Sequence, residues 1–134
     1  MKKFSIDPKL FWEQKILEWE EGRYFLQRDK KNSLLELIAD YFSSSVRFRL
    51  KVAMDILRPH VIGKRAVELG CGSGLLAKPI IDANAESYLG IDIAERAINL
   101  ARKRNQRELI SNKVSFRVGS ITSQFLPPAD IYFS

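Results

Sequence analysis

The chain has 134 residues, enough for one domain with little room for a second. Its 46% hydrophobic and 28% charged residues fit a soluble globular protein, and no apolar run nears the roughly 18 residues that a membrane span needs. The single cysteine excludes an internal disulfide and points to a reducing cytoplasm, and the N-terminus MKKFSIDPK lacks the apolar core of a signal peptide.

The net charge of +6 is spread along the chain, with 12 basic against 9 acidic residues in 1–60 and 10 against 7 in 61–134. No basic stripe interleaved with aromatics stands out, so a nucleic-acid partner has no support, and a mildly basic solvated surface is the expectation.

The first sixty residues read as a helical lead-in. Asp7-Pro8 supplies an N-cap and a proline for the first helical position, and Trp12, Ile16 and Trp19 recur at i, i+4 and i+7. Gly22 is the expected end of this helix, with Glu13, Glu18, Glu20 and Glu21 on a charged face. Ser33-x-x-Glu36 reads as a capping box opening a helix with Leu34, Leu37, Ile38, Tyr41 and Phe42 on one side. Ser43-Ser44-Ser45 is expected to interrupt it. A further helix would turn Val46, Leu50, Ala53, Met54 and Leu57 inward and stop before Pro59, leaving His60 in a loop. Arg47 and Arg49 are expected to be solvated or structural.

From Arg65 onward the pattern alternates. Strands are predicted at Arg65–Leu69, Ser87–Ile91, Val114–Val118 and Asp130–Phe133, and helices at 75–83 and 94–104. The second helix would bury Ala94, Ala97, Ile98 and Ala101. Pro79 lies near enough to the first turn of its helix to be tolerated. Such alternation implies an α/β fold with a parallel sheet, right-handed crossovers and ligands at the strands' carboxyl ends. The boundary between lead-in and core is placed after residue 60, giving units 1–60 and 61–134.

The first of these strands breaks into Glu68-Leu69-Gly70-Cys71-Gly72-Ser73-Gly74, and Asp92 ends the second strand eighteen residues past Gly74. A dinucleotide-binding loop wants G-x-G-x-x-G, but the third glycine here comes one position early. That spacing weakens a nicotinamide-dependent oxidoreductase as the alternative. The heptapeptide resembles the first motif of the class I S-adenosylmethionine-dependent methyltransferases, (D/E)-x-G-x-G-x-G, and matches it at every position.

The resemblance implies a Rossmann-like sheet in the order 3-2-1-4 and S-adenosyl-L-methionine as cofactor. Glu68 would suit the cofactor's ammonium, directly or through water, and Gly70, Gly72 and Gly74 would form the loop. Asp92 would accept from the ribose hydroxyls, and capping of the helix that begins at Ala94 is a second duty compatible with this one. Ile93 would pack on adenine. Where the family usually places an acidic residue for the adenine amino group this chain has Ser120, a neutral acceptor worth about 1 kcal/mol net, with Ile121 beside it. Cys71 is read as a small packing residue between glycines. No metal cluster is expected, and no catalytic base can be named.

The resemblance covers residues 65–134, and the family's sheet usually has seven strands. The expectation is therefore a fragment, a truncated chain, or one completed by a homo-oligomer or a partner that covers the open sheet edge. The implied activity is methyl transfer to an O, N or C nucleophile of a small molecule. The rival is a cofactor-binding module without activity of its own.

Overall fold

The computed structural model describes residues 7–24, 33–122 and 126–134, with side chains described for 7–18, 46–122 and 126–134. Asp7 caps the first helix as expected, its Oδ1 accepting the Lys9 N–H at 2.9 Å. Helix α1 is Pro8–Tyr24 and runs through Gly22. One glycine costs a helix about 1 kcal/mol relative to alanine, too little to end it alone.

Helix α2, Ser33–Val61, is likewise longer and less broken than predicted. Serine is only a modestly poor helix residue, so Ser43–Ser45 pass without a break. Pro59 lies inside the last turn, and His60 is exposed there rather than in a loop. The proline forfeits about 3 kcal/mol. Burial of Met54 and Val61, at 7% and 0% exposure, offsets that with about 1.5–3 kcal/mol each. The inward face is the predicted one, since Val46, Leu50, Ala53, Met54 and Leu57 are buried or half-buried between exposed neighbours. The side chains of Trp19, the capping box and Leu34–Phe42 lie outside the described residues.

The alternating part follows its prediction closely. Strands β1 (Arg65–Leu69), β2 (Ser87–Asp92), β3 (Val114–Val118) and β4 (Ile131–Phe133) form one parallel sheet in the order β3-β2-β1-β4. Helix α3 is Ala77–Asp82, shorter than the expected 75–83 because residues 72–76 form turns. Pro79 is therefore its third residue, where a missing N–H leaves no bond unmade. Helix α4 is Glu95–Arg104, and a short α5, Gln106–Ile110, was not anticipated.

One face of the sheet carries Ala66, Tyr88, Val114 and Phe116. These pack against Met54 and Val61 of α2, Ala77 and Ile80 of α3, and Ile98 and Ala101 of α4. Tyr88 and Phe116 meet edge to face at 5.9 Å. The register opposes Leu69 to Ile91 and Asp92 to Val118, which brings the carboxyl ends of three strands to one edge of the sheet.

At the opposite edge Arg65 holds the start of β4. Its N–H and Nε donate to Asp130 Oδ2 at 2.8 and 3.2 Å, and Asp130 returns its N–H to the Arg65 carbonyl at 3.0 Å. The Arg65 hydrogen bonds hold the Asp130 carboxyl down to about 2. Among the described residues β1 is the one strand beside β4.

Candidate functional site

The glycine loop is held from both sides. The N–H groups of Gly70 and Cys71 both donate to the Ile91 carbonyl, at 2.8 and 3.0 Å. From the far end of α4, Arg104 Nη1 donates to the Ser73 carbonyl at 2.8 Å. The buried Asn105 amide donates to the Gly74 and Ala101 carbonyls at 3.0 and 2.9 Å.

The three motif glycines all have positive φ but serve different ends. A Cβ on Gly74 would lie 2.9 Å from Ala101 Cβ and the Phe116 ring, so this glycine is demanded by packing of the loop onto α4 and β3. A Cβ on Gly70 or Gly72 would meet nothing within 4 Å. Among the described residues nothing crowds those two positions, and a ligand can approach the backbone there.

Asp92 stands beside that space. Its Oδ2 accepts the Gly72 N–H and its Oδ1 the Ala94 N–H, both at 2.9 Å. A carboxylate has about four lone-pair sites, so one remains on each oxygen for two further donors. Asp92 does not cap α4, which starts at Glu95 with Ala94 at the cap position. The first free N–H groups of α4, on Glu95 and Arg96, are taken by the carboxylate of Glu13 from α1. Glu13, expected only as one of four glutamates on a charged face, thus docks α1 onto α4.

These pieces enclose a cavity of about 580 Å³. Its floor is made by Gly70, Cys71, Gly72, Asp92, Ile93, Ser120 and Ile121, together with Ser73, Gly119 and Thr122. Its wall is Pro8, Trp12 and Ile16 of α1. Seven of the nine residues singled out from sequence thus meet around one space. Gly74 sits behind the floor. Glu68 is not part of the lining, and neither are the exposed Arg47 and Arg49. The Ser120 hydroxyl pairs with Thr122 Oγ1 at 2.8 Å and accepts the Thr122 N–H at 3.3 Å.

Glu68 is buried, 8% exposed, and accepts the Tyr88 hydroxyl. Burial pushes its carboxyl up to about 7. The Tyr88 hydrogen bond opposes this and the nearby Asp92 charge adds to it. Cys71 lines the cavity but is 6% exposed. Burial, then the Glu68 and Asp92 charges, push its thiol far above the ordinary range. It is therefore no nucleophile, in keeping with the packing role expected of it. Among the described residues no cluster of His, Cys, Asp and Glu could hold a metal, and no helix is long and apolar enough to cross a membrane.

The α1 wall, Glu13, Arg104 and Asn105 escaped the sequence. The available signal was at Ile93-Ala94-Glu95, where α4 begins without a capping side chain of its own and so needs one from elsewhere.

A family model described as a methyltransferase domain matches residues 66–134, half of the chain. A ribosomal protein L11 methyltransferase of Photobacterium profundum is 38% identical over 55 residues, 41% of this chain and 19% of that protein. A ubiquinone biosynthesis O-methyltransferase of Acinetobacter baylyi is 38% identical over 50 residues, 37% of this chain and 21% of that protein. The chain thus spans about a fifth of the length of these curated relatives. In fold it is similar to magnesium protoporphyrin IX methyltransferase from Synechocystis PCC 6803, solved with bound S-adenosylhomocysteine. That match has a TM-score of 0.64 at 19% identity, covering 89% of this chain and 54% of the other.

Proposed function

Since the chain belongs to the class I S-adenosylmethionine-dependent methyltransferases, we propose that its cavity holds S-adenosyl-L-methionine and that the protein methylates an O, N or C nucleophile of a small molecule. The observation that carries this reading is Asp92. Both of its oxygens are fixed by backbone N–H groups, both keep a lone pair, and both lie beside two glycines with open space above them. A ribose with vicinal hydroxyls supplies the two donors that this carboxylate lacks.

Around it, Ile93 offers an apolar face to adenine. Ser120 and the backbone of Ser120-Ile121 offer acceptors and donors to the adenine edge. Gly70 and Gly72 admit the amino-acid portion. Glu68 lies behind the loop with its carboxyl pushed up to about 7, and a cationic ammonium in front of the loop would favour its charged form. When bound, the cofactor supplies an electrophilic methyl group on a sulfonium. The residues of the chain contribute orientation and exclusion of water, and in-line placement alone can account for much of a methyl transfer.

Residues 61–134 would be the cofactor-binding core and 1–60 the helical lead-in. The apolar wall from α1 favours a small acceptor over a macromolecule, and a sole, buried cysteine suits the cytoplasm.

Calorimetric titration with S-adenosylhomocysteine tests the cofactor. Binding by the native chain, lost in a folded Asp92→Ala variant, supports the reading; no binding by the native chain contradicts it. Labelled methyl transferred from S-adenosylmethionine in a cell extract tests the acceptor. Label in the acid-soluble fraction supports a small molecule, and label in protein or RNA overturns that part.

A further inference from the structure

Helix α4 has no cap of its own. Ala94 has no acceptor to offer, and Asp92 spends its Oδ1 on the Ala94 N–H. The next two N–H groups, on Glu95 and Arg96, donate to Oε1 and Oε2 of Glu13, the latter at 3.2 Å, so one carboxylate spans both. Arg96 adds a second hold, with Nη1 donating to the Glu13 carbonyl at 3.2 Å and Nε 3.8 Å from Oε2. Glu13 is thus a helix cap supplied by a residue 82 positions away. An anion at that place also faces the positive end of the α4 dipole.

The neighbours of Glu13 on α1 give this contact its consequence. Trp12 and Ile16 lie one residue before it and three after it, on the part of the helix that walls the cavity, while Glu13 and Gln14 face the cleft against α4. The same α4 begins three residues after Asp92. One carboxylate therefore sets where the wall stands relative to the floor.

We propose that Glu13 is a positioning residue of the cofactor site, latching α1 onto the N-terminus of α4 so that Trp12 and Ile16 close over the bound cofactor. Its release opens the path by which cofactor enters and product leaves. The proposal rests on the reading of the cavity as the S-adenosylmethionine site.

Three measurements on the full chain test it. In a chase of labelled S-adenosylhomocysteine, Glu13→Ala should dissociate about tenfold faster, as expected for loss of a cap, with Glu13→Gln between it and the native chain. Hydrogen exchange without ligand should show faster exchange at Glu95, Arg96 and along α1 in Glu13→Ala, with the amides of β1 and β2 unchanged. The double variant Gln14→Cys/Asn99→Cys, bridged by a short bismaleimide across the α1–α4 cleft, should slow both uptake and release by at least about tenfold relative to the unbridged chain.

Unchanged dissociation in Glu13→Ala, or bridging that leaves both rates alone, overturns the latch while leaving the cofactor reading intact. Failure of the native chain to bind S-adenosylhomocysteine overturns the cofactor reading and the retention role together. The exchange data would then still report whether Glu13 docks α1.

Discussion

The floor and the wall of the cavity are held in different ways. The floor hangs from three parallel strands whose register is fixed by the sheet, and its loop is pinned by Ile91, Asp92, Arg104 and Asn105. The wall is one face of α1, held on α4 by the Glu13 carboxylate and its Arg96 partner. Among the described residues the floor has more mutually supporting hydrogen bonds than the wall. A site built this way keeps its recognition geometry while its cover moves, because low-stability elements are the ones that open.

The largest effect that would sharpen this contrast is at Asp92. Asp92→Ala would remove the two hydrogen bonds proposed to the ribose, along with those from the Gly72 and Ala94 N–H groups, and S-adenosylhomocysteine affinity should fall at least about 100-fold in calorimetry. A drop below about fivefold would break the assignment.

Next come the glycines. Gly74→Ala puts a methyl group 2.9 Å from Ala101 and Phe116 at positive φ, and should cost about 2–4 kcal/mol in urea unfolding. Gly70→Ala meets open space and should cost only the backbone penalty of about 1–2 kcal/mol, while weakening binding. Equal destabilisation by the two would mean that the space over Gly70 is not open.

Glu68 comes third, through pH. In the fold it keeps its proton up to about 7, against an ordinary value of 4.5, so between those values the folded chain holds more protons than the unfolded one. The stability tied to this group is full below about pH 4.5 and lost as pH rises through 7, by about 3 kcal/mol in total. Unfolding free energies at pH 5 and 8 should show the fall in the native chain and flatten in Glu68→Gln. An unchanged slope in the variant would assign the effect elsewhere.

The smallest effect is on the wall. Glu13→Ala should lower global stability by about 1 kcal/mol or less, its consequence lying in ligand release. A loss several times larger would make α1 part of the framework and erase the distinction between wall and floor.

The same division separates what could be read in the sequence from what could not. β1 and β3 were legible because their apolar runs are bounded by turn residues, and the strand order followed from the family resemblance that Glu68–Gly74 with Asp92 carries. The inward face of α2 was legible from the spacing of Val46, Leu50, Met54 and Leu57. Its continuity was not, because tertiary burial of Met54 and Val61 overrides the local cost of Pro59.

Glu13 was illegible for a related reason. On its own helix it is one glutamate among four, and only docking onto α4 brings its carboxylate to the two free N–H groups. Asn105 is similar: nothing in the order of residues says that its amide will seek the Gly74 carbonyl, which the fold brings to it across 31 positions.

The measurement that bears most directly on the account is a ¹⁵N correlation spectrum of the chain titrated with S-adenosylhomocysteine. The account predicts that the amides of Gly70, Gly72, Asp92, Ile93 and Ser120 shift together with the Trp12 indole N–H, floor and wall responding to one ligand. Saturating ligand that moves none of the floor amides, or moves them while Trp12 stays in place, would contradict it.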